Sequence, residues 1–183
     1  PAPWRVNLSK KLVDFGANLV IHHHSHTLQG VEYYKDSLIA YSLGNFLFPT
    51  HLSDYMKGRV GNVNEGGYLS VNIDYSNEKK IKIIHEMIPT LIDENGDFQI
   101  ASGLQKKQIL KNIDNYSNQL NEKKRLENIY FQRCKFEMKS YILGIYYAYK
   151  KEGVTKALSY LLHHFSTAQH RNWMRGFFSF GKL

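Results

Sequence analysis

One cysteine, Cys134, stands in 183 residues, which excludes an internal disulfide and leaves the redox compartment undecided. Long apolar runs are missing as well: none approaches the roughly 20 residues that a helix needs to span a bilayer. No secretory signal is visible, and the chain starts on Pro1-Ala2-Pro3-Trp4 without an initiator methionine. Proline is scarce, with four in all and none after Pro89, so the second half carries no residue that would break a helix outright. Around Ser42 there is no G-x-S-x-G elbow, which argues against a serine-hydrolase triad built on that hydroxyl.

Acidic side chains thin out along the chain. Residues 1–103 hold 9 Lys/Arg against 11 Asp/Glu, whereas residues 104–183 hold 15 against 5, so the formal net charge of +8 sits in the second half. A hydrophobic content of 43% suffices for one globular unit plus an appendage. The first part reads as strands. The segments 29–34 and 38–41 flank the polar link Lys35-Asp36-Ser37 as a hairpin, and 67–75 and 80–88 alternate about the turn Ser76-Asn77-Glu78. A shorter pair is predicted about Asn95-Gly96.

From Leu104 onward the apolar period becomes helical. Ile109, Ile113 and Leu120 share one face, and Leu126, Tyr130, Cys134, Met138, Ile142, Ile145 and Tyr149 form a longer stripe. Val154, Ala157, Leu158, Leu161, Leu162 and Phe165 make a third helix after Gly153, and a fourth is expected around Trp173 to Phe178. Two readings stand for this basic half: a solvated face covering an apolar stripe, or attraction to a polyanion or membrane surface through Lys123-Lys124-Arg125 and Lys150-Lys151. Nucleic acid would use the same cations, yet no recognisable nucleic-acid module accompanies them.

The densest chemistry lies at Ile21-His22-His23-His24-Ser25-His26, directly after the apolar run Leu19-Val20-Ile21. A strand that ends in a loop can hold rings two residues apart on one side of the chain, and imidazole is the commonest protein ligand for transition metals. His24 and His26 fit that spacing best. The plain alternative is a solvated polar loop. Asn45, after Gly44, either orients a substrate or satisfies loop backbone. Glu32 lies on the hairpin beside the motif, from where it would orient a ligand imidazole. His51 and His85 lack a partner pattern, His163-His164 fall on a helix where only one faces the core, and Glu65 before Gly66-Gly67 reads as part of a turn.

The run Gly16-Ala17-Asn18-Leu19-Val20-Ile21-His22-His23-His24-Ser25-His26, then Leu28-Gln29-Gly30-Val31-Glu32 and Tyr41-Ser42-Leu43-Gly44-Asn45-Phe46, resembles the CapA family of bacterial capsule-synthesis proteins. Members carry a GAD-hydrophobic-GHHPH-x-LQG run followed at similar spacing by YSLGNF, and they belong to the calcineurin-like metallophosphoesterase superfamily. The resemblance covers about residues 10–93. His22 stands where the family usually has Gly and Ser25 where it usually has Pro, so the loop is expected to differ locally. The early GD and later NNH-type motifs of the family's amino-terminal half have no counterpart, so the chain reads as the carboxy-terminal portion of a longer protein.

What the resemblance implies is an α/β fold: residues 1–103 as the carboxy-terminal part of a calcineurin-like sandwich, and residues 104–183 as a basic helical extension. It implies a role in synthesis, attachment or export of an anionic capsule polymer such as poly-γ-glutamate. A metal-dependent hydrolase or phosphoesterase-like site would serve that role, with a divalent ion of Mn, Fe or Zn type held by His24 and His26, and with His23 and Asn45 in catalytic positions. The substrate would be an anionic polymer or a phosphate-containing compound, and other capsule-assembly proteins the partners. Membrane anchoring, and with it an extracytoplasmic location, would come through the absent amino-terminal region. The competing reading is a non-catalytic scaffold that binds an anionic polymer and partner proteins at the membrane.

Overall fold

The structure, a computed structural model, describes residues 1–48, 61–76 and 81–180, the side chain of His164 apart. The turn expected at Ser76-Asn77-Glu78 and the reading of His51 fall wholly or partly outside the described residues. The chain is mixed α/β, with five helices and two three-stranded sheets among the described residues, and divides into two compact units, Pro3–Glu122 and Lys123 onward.

In the first unit, α1 (Pro3–Asp14) begins on a proline, whose fixed φ suits a first helical position. It buries Val6, Ser9 and Val13, one face of a helix. It stops in a Schellman turn: Ala17 N–H donates to Leu12 O at 3.0 Å and Gly16 N–H to Val13 O at 2.8 Å, with Gly16 left-handed at φ 103°. The chain then enters β1 (Leu19–Ile21), which pairs parallel with β3 (Ser37–Ala40), while β2 (Val31–Tyr34) pairs antiparallel with β3 on its other side. All four residues of β3 are buried, as befits a central strand covered on both faces. The expected hairpin between β2 and β3 forms with Lys35 and Asp36 at φ 50° and 65°. Positive φ at both central residues is the type I′ geometry that suits the right-handed twist of strands.

The second sheet runs β4 (Glu65–Asp74), β5 (Lys82–Ile92) and β6 (Phe98–Ile100), all antiparallel. The pair predicted about Asn95-Gly96 is the β5–β6 hairpin. There Asp93 Oδ1 accepts from the backbone N–H of both Asn95 and Asp97 at 2.9 Å, a side chain standing in for turn backbone. Glu65 is not in a turn: it opens β4, is buried, and accepts a hydrogen bond from Asn112 Nδ2 at 3.2 Å. β4 meets the chain after β3 through a single bridge, Gly44 to Gly66. A Cβ on Gly44 would collide with Glu65 O and lie 2.9 Å from Gly66 Cα, and one on Gly66 would collide with Asn45 O.

Helix α2 (Gly103–Leu120) buries the predicted Ile109, Ile113 and Leu120. Ile109 and Ile113 pack with Leu28 and Ala101, so α2 belongs with the first unit rather than with the helices that follow it. Ser117 Oγ donates to Ile113 O at 2.8 Å and accepts from Val31 N–H at 2.9 Å, tying α2 to the start of β2.

The second unit holds α3 (Lys123–Glu152), α4 (Val154–Ser166) and α5 (Ala168–Phe180), with α3 packed against both others. The expected α3 stripe holds over Leu126 and Cys134 but not to its end: Tyr141 is buried next, and Ile142 and Tyr149 are exposed. Steps of four drift about 40° each around a helix of 3.6 residues per turn, while Tyr141, seven beyond Cys134, returns to the buried face. Burial pushes the Cys134 thiol pKa up, which keeps it protonated and inert. No described helix is long and apolar enough to cross a membrane.

The Gly44–Gly66 crossing predicts a sharp substitution effect. Gly66→Ala should destabilise by about 1–3 kcal/mol or more, because the obstacle is backbone and cannot rotate away. Leu104→Ala, at a site 84% exposed, should stay within about 0.5 kcal/mol. Urea denaturation of both variants checks it; equal, small effects would mean that the two backbones separate freely.

Candidate functional site

The site grows from the end of β1. His22 N–H donates to Ala40 O at 2.8 Å, extending the parallel ladder by one residue before the chain leaves the sheet. This turns the His22 ring inward, where it stacks on Tyr41 with centroids 5.9 Å apart and planes 5° from parallel. Ser9 on α1 donates to Arg5 O at 2.8 Å, so its oxygen is left to accept from His22 Nε2–H at 2.6 Å. Burial, with the nearby Arg5 charge, lowers the His22 pKa and favours the neutral ring. Tyr41 donates to Glu32 Oε1 at 2.7 Å, and Glu32 pairs with Lys10 at 3.1 Å. Burial, then the Glu32 contact, pushes the Tyr41 hydroxyl pKa far up. Glu32 therefore locks α1 to the sheet instead of orienting a ligand imidazole.

Beyond His22 the loop reverses character. His24 and His26 sit at φ 78° and 60°, a left-handed backbone that non-glycine residues adopt at a cost. His22, which stands where the resembled pattern has Gly, is not among the residues with positive φ and continues the ladder. Ser25, where the family pattern has Pro, places its hydroxyl 2.7 Å from Ser42 Oγ and 3.0 Å from Thr27 O. The buried Ser42 hydroxyl is thus engaged in pinning the loop, away from any nucleophilic role.

Asn45 decides the chemistry of His26. Its side chain is buried, at 5% exposure, and its Nδ2 donates to Val63 O at 2.8 Å. With the amide nitrogen committed to a carbonyl, Oδ1 faces His26 Nδ1 at 2.8 Å, and an oxygen acceptor there requires the proton on Nδ1. The Nε2 lone pair of His26 is then free to bind. This is the arrangement that fixes tautomer and ring direction in metal-ligating histidines. The sequence reading missed Val63, whose carbonyl sets the amide; Gly66-Gly67 was the only local signal that another backbone comes close.

His24 and His26 rings lie 5.8 Å apart at 51°. Two imidazoles bound to one ion at about 2.0–2.1 Å hold their centroids roughly 5–6 Å apart, so the pair fits two positions of a coordination sphere. His23, His24, His26 and Asn45 share with Phe46, Leu47 and Phe48 the wall of a cavity of about 450 Å³, and Phe48 packs 5.0 Å from the His26 ring. Among the described residues no group of three or more His, Cys, Asp or Glu is placed to hold an ion. The other described histidine side chains lie elsewhere: His85 on β5 contacts Tyr33 of β2 at 2.9 Å, and His163 on α4 lies against His170 of α5.

Residues 1–50 match the family profile described as "Bacterial capsule synthesis protein PGA_cap". The "Capsule biosynthesis protein CapA" of Bacillus anthracis is 29% identical over 116 residues, 62% of this chain and 25% of that protein. The "PGA biosynthesis protein CapA" of Bacillus subtilis (strain 168) is 44% identical over 41 residues, 22% of this chain and 11% of that protein. An "Uncharacterized protein y4sH" of Sinorhizobium fredii is 46% identical over 48 residues, 26% and 10% of the two chains. The chain thus spans a quarter or less of the length of these relatives.

The His22 pocket generates a pH prediction. Its folded pKa lies below the ordinary value of 6.5, so the unfolded chain binds more protons between the two values. Stability should therefore fall as pH drops through about 6.5 and level off below the folded value. His22→Gln, which keeps a donor for Ser9, should flatten this component in urea melts at pH 5 to 8; an unchanged pH profile would show that His22 titrates as it does when unfolded.

Proposed function

We propose that the chain is a CapA-type capsule synthesis protein, a reading supported by the similarity of residues 1–50 to that family's profile and by its resemblance to two CapA proteins, and that it serves the synthesis, attachment or export of an anionic capsule polymer such as poly-γ-glutamate, through a metal-dependent hydrolase or phosphoesterase-like site. The observation that carries this reading is the His26–Asn45 pair, which leaves His26 Nε2 free beside His24. His24 and His26 would hold a divalent ion of Mn, Fe or Zn type, with further ligands from outside the described residues. When bound, such an ion polarises a phosphoryl or acyl oxygen and lowers the pKa of a bound water.

The chain's own residues divide the remaining work. Asn45 holds the His26 proton on Nδ1. Exposed His23, which lines the same cavity, would contact the anionic substrate, and Phe48 backs the His26 ring. In this reading residues 1–103 form the carboxy-terminal part of a calcineurin-like sandwich, which α2 covers, and the rest is a helical extension. The complete protein would be membrane-anchored, extracytoplasmic and joined by other capsule-assembly proteins. The His24–His26 pair without a third such ligand among the described residues favours a second reading, a scaffold that binds the polymer without turnover.

Metal analysis of the purified full-length protein separates the two. His24→Ala and His26→Ala should each abolish bound metal, Asn45→Ala should weaken it roughly 10–100-fold, and His22→Ala should leave it unchanged. Binding should also weaken at acid pH, since imidazole ligates only when neutral. Equal metal content in wild type, His24→Ala and His26→Ala would leave the scaffold reading.

A further inference from the structure

Helix α4 carries more apolar surface than its packing uses. Its Ala157, Tyr160 and Leu161 are partly buried, and Tyr160 fills the space beside Gly144 of α3. A second arc stays in water: Val154 is 60% exposed, Leu158 53%, Leu162 68% and Phe165 51%. These positions are spaced by four, four and three residues, so they form one stripe along the helix. Lys156 and His163 fall on the opposite side by the same geometry. α4 contains no acidic residue.

The charge around the stripe has one sign. From Lys123 onward there are 12 Lys/Arg against 3 Asp/Glu. Each of those three carboxylates is already neutralised one turn away: Glu127 by Lys123, Glu137 by Arg133 and Glu152 by Lys156. Lys150 and Lys151 end α3, and Lys151 is within roughly 11 Å of Val154 by chain connectivity alone. At the other end, Arg171 donates to the Phe165 and Ser166 carbonyls at 3.0 and 2.6 Å, setting a cation at the C-terminus of α4. The stripe is therefore bracketed by cations.

We propose that α4 lies flat on an anionic membrane surface, with Val154, Leu158, Leu162 and Phe165 in the headgroup–acyl boundary and Lys150 and Lys151 on the lipid phosphates. A soluble polyanion would satisfy the lysines and leave the stripe in water, whereas a lipid surface takes both. A second copy would bring two strongly cationic units together. Since no described helix can cross a membrane, the contact is interfacial. The proposal is independent of the metal reading.

The test is co-sedimentation of this chain with vesicles of phosphatidylglycerol and phosphatidylcholine, against vesicles of phosphatidylcholine alone. Wild type should bind the anionic vesicles and, at the same lipid concentration, far less of the neutral ones. Leu158→Ser/Leu162→Ser, conservative in charge and at exposed sites, should bind at least tenfold more weakly with an unchanged circular dichroism spectrum. Lys150→Gln/Lys151→Gln should lose about fivefold per lysine at low salt and little near 1 M salt, where screening is short. Two results would overturn it: leucine variants that bind like wild type, or a wild-type dimer in sedimentation velocity that those variants dissolve. Binding of soluble poly-γ-glutamate as strong as vesicle binding, and equally indifferent to the leucines, would also do so.

Discussion

The candidate site depends on two backbones passing at a distance that only glycine permits. Gly44 and Gly66 face each other where the chain leaves the first sheet and the second sheet begins, and a Cβ on either would strike backbone of the other strand. The crossing brings Val63, on the approach to β4, and Glu65, its first residue, beside the loop after β3. Gly67 N–H donates to Leu43 O at 2.8 Å and holds the two together. Without it the Val63 carbonyl would not reach the Asn45 amide, and only the longer Asn45 Nδ2 contact to the His26 carbonyl, at 3.4 Å, would orient that amide. A steric constraint between two glycines thus ends as a tautomer preference on an imidazole.

The four histidines are one run in sequence and two groups in space. His22 follows the ladder inward and is consumed by Ser9 and Tyr41; its neutrality belongs to the packing of α1 on the sheet. His24 and His26 take left-handed backbone and turn toward the cavity that Phe46, Leu47 and Phe48 complete. Strain of this kind persists only where the surroundings over-determine it. Here the surroundings are the Ser25–Ser42 contact on one side and Asn45 on the other.

The second unit obeys a different economy. Its carboxylates are spent in pairs one helical turn apart, which leaves the unit with a net positive charge, and Gly176 lets α5 settle against Cys134 of α3. Within this unit α3 packs against both neighbours, and the outer arc of α4 stays exposed among the described residues.

Much of this was legible without coordinates. The hairpin at Lys35-Asp36, the strands on either side of residue 78, the hairpin at Asn95-Gly96 and the faces of α2 all follow from local rules: turn chemistry, alternation and helical period. The pairing of His24 with His26 was legible too, because a spacing of two at a strand end is a local property. The α3 stripe failed beyond Met138 because a four-residue step drifts, and periodicity alone does not say where a neighbour sits. Glu65 looked like a turn residue because Gly66-Gly67 has two explanations, flexibility or close approach, and only the opposing strand selects the second. Glu32 and Asn45 were both polar neighbours of the motif. Which one orients an imidazole was decided by partners distant in sequence, Lys10 and Tyr41 for the first and Val63 for the second. Sequence by itself determined which elements form and which side chains are chemically able; tertiary structure alone decided which hydrogen-bond partner each would meet, because those partners are set by contacts between segments that no local rule couples.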